Sequence, residues 1–471
     1  MEFAVSKKDE AKRTKKKLDI SAKAIIDNIV FSEKDAMAYY KVGNVTYDFL
    51  STSMKEGLAQ RILVGLGSLI DKNGKQDTLD CHLIITTVPL NVVAWKDQMI
   101  ERAKKWGGDT PHFLRYVQQQ AEYLYVNEFS TKTTIIGVSL GRRGALDTKA
   151  LNPFDIGVKE SINTLKKWGN KLLMVPGEEI TSDDERIFKN REAGFFDVLS
   201  MGALKAQRLS TEDLIILMKR PFHPAMPIPR LETSYDSRVG AGELVRELYH
   251  IIENKYRFCK ITQELDFGEE GLKPVTGYRA TLSFSKFPKY IDYPHGSPPF
   301  LYLPLQLGVD CTIYSRFKLL SNAKMKKDIE RKKKDSADQI DNAANTQTAT
   351  SQLVNPDMEM INNIEDLSEI AELVHSDRMP WVQGNYRIVI EASTEERLRK
   401  IISFIRQEYE NYEIVLNWTA GDQKDLLLEQ MPGDKTRMTS FTQTTNLEML
   451  ATSGMNFSSE VGDVIWDGKK E

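Results

Sequence analysis

The feature that most narrows the fold is a regular alternation of strand and helix patterns between residues 277 and 433. "GYRATLSFSKFP" (277–288) places Tyr278, Ala280, Leu282 and Phe284 on one side, the period of a half-buried strand. After a proline-rich loop to residue 304, "GVDCTIYSRFKLL" (308–320) is a second strand running into a helix. That helix carries "KMKKDIERKKKD" (324–335), with seven Lys or Arg. Residues 341–356, rich in Asn, Gln, Thr and Ala, read as an exposed tip or a weakly packed end, and a second helix fits 363–375. "NYRIVIEAS" is a third strand, with Arg387, Val389 and Glu391 alternating against Tyr386, Ile388 and Ile390. Ser393 and Glu396 have capping-box spacing before a helix with Leu398, Ile401, Ile402 and Ile405 on one face. "YEIVLNW" (412–418) is a fourth strand, and the helix opened by Asp422 stops at Pro432-Gly433. This order fits a ferredoxin-like split β-α-β unit over 277–433, with a long helical hairpin inserted at 318–376.

The first half is also mixed. "AMAYYKVGNVTYDFLS" (36–51) alternates around Gly-Asn, a hairpin signal. A helix fits 54–64, a strand ends at Pro89, and helical periodicity returns at 91–105 and 110–128. "TKTTIIGVSLG" (131–141) is β-branched and reads as a central strand. A helix fits 155–168, and Ser210 caps another that Pro221 stops. "RPFHPAMPIPRL" (220–231) holds four prolines in twelve residues, which excludes helix and central strand and suggests a stiff linker. The expected fold class is therefore α+β, in two mixed subdomains. A flexible basic arm (1–18) precedes the first (19–219). A linker and connecting segment (220–276) leads to the second (277–433), and residues 434–471 follow.

"GDKT" at 433–436 looks like half of a phosphate loop, but Gly433 is followed by Asp434, and Leu428 stands where the first glycine belongs. "GVSLGRRG" (137–144) has Arg in place of Lys and no following Ser or Thr. The expectation is no phosphate loop, no cofactor and no catalytic residue in this chain. Cys81, Cys259 and Cys311 are far apart, and the six histidines form no H-E-x-x-H, so a disulfide framework and a zinc site are not indicated. "GEEITSDDER" (177–186) lacks the spacing and glycine of a calcium loop. With net charge −3 in 471 residues, the chain does not have the basic surplus of a general nucleic-acid binder. It carries no apolar run long enough for a membrane span and no secretion signal, so a cytoplasmic location is expected. The basic arm could contact anionic lipid or DNA.

The ordered set of segments resembles the N-terminal half of the conjugative-transfer ATPases of type IV secretion systems, the CagE/TrbE/VirB family, in the versions found in Gram-positive mobile elements. The segments are "YRATLSFSKFP", the strand passing into a charged helix at 309–340, "GNYRIVIEASTEERLRKIISFIRQEYENYEIVLNW", and the Gln-led helix from Gln423 to Gly433. "IIGVSLGRR", "LKAQRLSTEDLIILMKRPFHP" and "TTNLEMLATSGMNFSSEVGD" are similar to further family segments. The resemblance implies a docking and assembly domain at the cytoplasmic membrane face. Its partners would be other channel subunits, the membrane complex indirectly, and copies of itself. The full-length family protein is an ATPase; ATP and Mg belong to a domain that would follow residue 471. Candidate interaction residues are Arg142 and Arg143 on the strand-end loop, and Lys324, Lys326, Lys327, Arg331, Lys332, Lys333 and Lys334 on the basic helix. The alternative is a single-stranded DNA-binding module that stacks bases on Tyr39, Tyr40, Tyr47 and Phe49.

Overall fold

The computed structural model describes residues 20–32, 35–72, 77–89, 92–108, 110–126, 130–142, 182–202, 204–226, 238–240, 250–266, 271–288, 291–350, 368, 370–372, 374 and 380–458. In the first half the strands are β1 (Ala22–Ile26), β2 (Ile29–Ser32), β3 (Asp35–Val42), β4 (Val45–Thr46), β5 (Thr78–Pro89), β6 (Ser130–Arg142), β7 (Gln207–Arg208) and β8 (Arg238–Gly240). In the second they are β9 (His250–Lys255), β10 (Phe258–Asp266), β11 (Leu272–Lys286), β12 (Cys311–Leu320), β13 (Trp381–Ala392), β14 (Val415–Asn417), β15 (Gln443–Asn446) and β16 (Phe457–Ser458). The α+β class is as expected.

Both halves share one sheet. Its path is β8-β1-β2-β3-β6-β5-β12-β13-β11-β10-β9, with β14 on β11, β15 on β13 and β7 on β3. The joint is β5 against β12, antiparallel from Ile85↔Ile313 to Thr78↔Leu320. The four strands that the sequence groups together lie in the order β14-β11-β13-β12, every neighbour antiparallel. Between β11 and β12 the helix described is only Leu303–Gln306, shorter than a split β-α-β crossover.

Alternation along the strands splits the core in two. One face packs Leu83, Ile136, Leu282, Ile313 and Ile388 against the helices Thr52–Lys72, Ser182–Met201, Glu395–Glu410 and Leu447–Ala451. The helix Glu395–Glu410 presents Leu398, Ile402, Ile405 and Tyr409 to it, a helical stripe. The other face packs Tyr39, Ile84, Ile135, Tyr314 and Val389 under the helices Thr211–Lys219 and Gln423–Glu429. Ser210 caps the first of these by accepting the Asp213 N–H at 3.1 Å, as the sequence indicates.

Four expectations are corrected. The 36–51 segment is not a hairpin. β3 pairs with β2 and β6, while β4 pairs in parallel with β16, more than 400 residues away. Non-local ladders override the Gly-Asn signal, and the Asn44 amide instead donates to Lys132 O at 2.9 Å. The cap before Glu395 is Thr394, whose hydroxyl accepts the Arg397 N–H, so the Ser393–Glu396 box does not form. The strand read over 412–418 narrows to Val415–Asn417. Within the segment read as a linker, Pro221, Phe222 and His223 are buried, and β9 and β10 belong to the main sheet. The helix read over 155–168 lies outside the described residues, as do the arm 1–18, residues 177–181 of "GEEITSDDER" and residues 459–471.

Candidate functional site

Three neighbouring strands each turn an arginine into the second face of the sheet. These are Arg279 on β11, Arg316 on β12 and Arg387 on β13, all buried. A buried guanidinium is tolerated only when its donors are satisfied. Here most of the acceptors come from one segment, the end of the helix Gln423–Glu429 and the loop after it, with Pro221 and Ser283 supplying the others. Arg316 Nη2 donates to Glu429 O at 3.0 Å and to Met431 O at 2.6 Å. Arg387 Nη2 donates to Met438 O at 3.1 Å and Ser440 O at 3.2 Å, and its Nη1 reaches Ser283. Arg279 donates to Gln430 and, at 3.2 Å, to Pro221 O. Glu391 lies 3.7 Å from Arg279 and 2.8 Å from Arg220. Burial pulls the Arg279 pKa below the usual arginine value, partly offset by Glu391.

The Gln423 side chain anchors the start of this segment. β10 leaves β11 at Arg279, and β14 joins it at Ser283, so the Thr281 backbone on that edge has no strand partner. Gln423 accepts the Thr281 N–H at 2.8 Å and donates to Thr281 O at 3.1 Å, filling the ladder gap with a side-chain amide. Tyr314 OH donates to Leu426 O at 2.8 Å along the same helix.

"GDKT" closes the segment as an internal clasp. Gly433 has φ +71, and its N–H donates to Tyr39 OH at 2.8 Å. Asp434 accepts from Ser21 Oγ at 2.8 Å, from the Lys435 N–H at 2.7 Å and from Arg437 Nη2 at 3.0 Å. Fully buried Glu429 accepts the N–H groups of Arg437 and Met438, each at 2.8 Å, and sits 3.8 Å from Arg387 Nε. A phosphate cradle needs free backbone donors around an anion. These four donors are taken by the chain's own hydroxyl and carboxylates, so the loop does not fit a nucleotide phosphate.

A cleft of ≈ 580 Å³ opens beside the clasp, between the ends of β3, β5, β12 and β13, with Asp35, Asp80, Lys318, Gln383, Lys435 and Thr439 on its walls. Among the described residues no group of three His, Cys, Asp or Glu is arranged to hold a metal ion.

Buried histidines flank this face. His82, 3.2 Å from Tyr39 OH, is held well below its ordinary pKa by burial and then by the Arg316 charge. His223, whose Nδ1 lies 3.0 Å from Lys219 O, is lowered to about 4, chiefly by burial. Both are neutral in the fold. On unfolding His223 regains a pKa near 6.5, so the unfolded state takes up the proton first. Stability is therefore full above about pH 6.5 and falls towards about pH 4, by on the order of 3 kcal/mol from His223. Urea midpoints across that window are expected to drop more steeply for the native chain than for H223Q, and equal slopes would refute the assignment.

The basic helix is a separate surface. Asn322–Thr350 docks through Met325 and Ile329, which join Leu320, Val374 and Trp381 in a small satellite core. Lys327, Arg331 and Lys334 form one exposed stripe opposite that foot, with spacing i, i+4, i+7. Lys332 is exposed; Lys326 and Lys333 are half-buried on the flanks. Lys324 is partly spent on Asp328 at 2.9 Å, and Asp328 also lies 4.0 Å from Arg331. Arg142 ends β6, far along the chain from this helix, and Arg143 lies outside the described residues. Tyr39, Tyr40 and Tyr47 are buried and cannot stack bases; Phe49 alone of that set is exposed. The arginine ladder escapes sequence reading because Arg387 and Glu391 alternate as solvent-facing residues would. The available signal was Gln423 and Glu429 on a helix that leads into Pro-Gly.

Among the described residues no helix is long and apolar enough to cross a membrane. Compared with known proteins, the sequence matches no family model and no curated protein.

Proposed function

We propose that this chain is a docking and assembly module of a conjugative-transfer (type IV secretion) ATPase, acting at the cytoplasmic face of the channel. The observation that carries this reading is the helix Asn322–Thr350. At 1.5 Å per residue its 29 residues span roughly 43 Å, and among its described side chains the buried apolar ones are Met325 and Ile329, in the first turns. A helix so long, seated through Met325 and Ile329 and striped with the exposed cations Lys327, Arg331 and Lys334, offers a surface to a partner outside its own domain. The ladder beneath the clasp gives that projection a stiff base. The ordered resemblance to the CagE/TrbE/VirB family supplies the partner class: neighbouring channel subunits, and other copies of the chain. ATP and Mg enter, on this reading, through the family's motor domain and not through "GDKT".

The test is capture of the chain by a detergent-solubilised conjugative membrane complex. The triple reversal K327E/R331E/K334E is expected to weaken capture by at least tenfold with an unchanged melting temperature, since the stripe is solvent-facing. Undiminished capture would remove the helix from the interface. Salt-sensitive binding of an oligonucleotide, lost in the same variant, would favour the DNA-binding alternative.

A further inference from the structure

A second helical projection leaves the opposite end of the sheet. β5 ends at Pro89 opposite Ser130 of β6, and the helices Val92–Lys105 and Pro111–Val126 lie between them. The helix Asn322–Thr350 instead follows Leu320, which pairs with Thr78 at the other end of β5. The two helices of this second projection pack on each other, and among their described side chains the buried ones are small: Ala103, Val117 and Ala121.

The first of the two helices ends in a hydrogen-bonded cap. The Gly108 N–H donates to Ala103 O at 2.8 Å, the Gly107 N–H donates to Lys104 O at 3.2 Å, and Gly107 has φ +66. This is a Schellman closure. It holds Trp106 at the tip, where the residue is 63% exposed. Exposed Arg102, Lys104 and Lys105 precede it in the last turn, beside Glu101. Leu114, 37% exposed, and exposed Arg115 begin the return helix, with Tyr116 next.

We infer that this tip is a membrane-surface anchor that sets Trp106 and Leu114 into the headgroup layer of an anionic bilayer. Indole prefers the interfacial zone, where its ring is sheltered and its N–H stays wet. The flanking cations then lie level with lipid phosphates, and each strengthens attraction to an anionic surface. An exposed indole after a cationic turn, with exposed Leu114 in the first turn of the return helix, suits insertion into lipid. Single-stranded nucleic acid calls for a groove with successive stacking faces. The inference stands apart from the secretion reading, since vesicle binding and capture by channel subunits are separate measurements.

The experiment is flotation of the full chain with vesicles of phosphatidylcholine alone, and with about 30 mol % phosphatidylserine added. Binding is expected only with the anionic lipid. W106S and K104E/K105E should each reduce it about tenfold or more, with the melting temperature unchanged because these side chains are exposed. K15Q/K16Q/K17Q, in the N-terminal arm, serves as the control and should leave the Trp106-dependent part in place. The proposal is overturned if anionic vesicles do not retain the native chain, or if W106S floats as well as the native chain. It is equally overturned if the arm variant alone abolishes flotation, or if the tip variants lose oligonucleotide binding and keep lipid binding.

Discussion

Glu429→Ala is expected to cost about 3–5 kcal/mol of folding stability, the range for breaking a buried charge pair from one side. The carboxylate is fully buried, accepts two backbone N–H groups and faces Arg387. Removing it leaves two backbone donors without their acceptor. The buried guanidinium then lacks its counter-charge, and the turn through Arg437 and Met438 loses its acceptor. R387M/E429L, which removes both charges and restores volume, is expected to cost clearly less than the sum of the single changes, because no isolated charge is left behind. Urea unfolding of the four proteins closes the cycle. A loss below about 1 kcal/mol for E429A would place the pair among solvated surface bridges and remove the clamp from the account.

Gly433→Ala is expected to cost about 2–4 kcal/mol, from two separable sources. The residue sits at φ +71, which an L side chain resists, and an added Cβ would collide with Val30 Cγ1. Val30 is on β2, wholly buried, so it has little room to yield. V30A should relieve the collision and leave the dihedral penalty. A double-mutant cycle is then expected to show about 1 kcal/mol or more of favourable coupling between G433A and V30A. G433A within about 0.5 kcal/mol of the native chain would mean that the clasp is not set by this turn.

Local signals read well wherever one residue type decides the outcome. β-branched runs gave β5 and β6 within a residue or two. Ser210 and Leu398 do in the structure what their positions in the sequence indicate; Gly433 takes the expected left-handed turn, but the helix read as running to it already ends at Glu429. The misses are non-local. Nothing near Gly43 announces that Val45 will pair with Phe457, and nothing in either half announces the β5–β12 joint that merges them. The site was half legible for the same reason. The basic helix is a run of letters and was found; only its exposed stripe needed a three-dimensional register. The arginine ladder needs both faces of the sheet to be covered. The alternation of Arg387 with Ile388 reads as a solvent face, until a helix from 40 residues later lies across it. The stacking aromatics failed conversely: β3 is covered on both sides, so Tyr39 and Tyr40 each enter a core.

Hydrogen exchange on the whole chain tests the central claim most directly, with the conjugative membrane complex in one arm and Mg-ATP in the other. The account predicts slowed exchange over 323–335 on adding the complex, and no change over 433–438 with nucleotide, because those amides are already held by Tyr39, Asp434 and Glu429. Protection of 433–438 by Mg-ATP, with the basic helix unaffected by the complex, would contradict it.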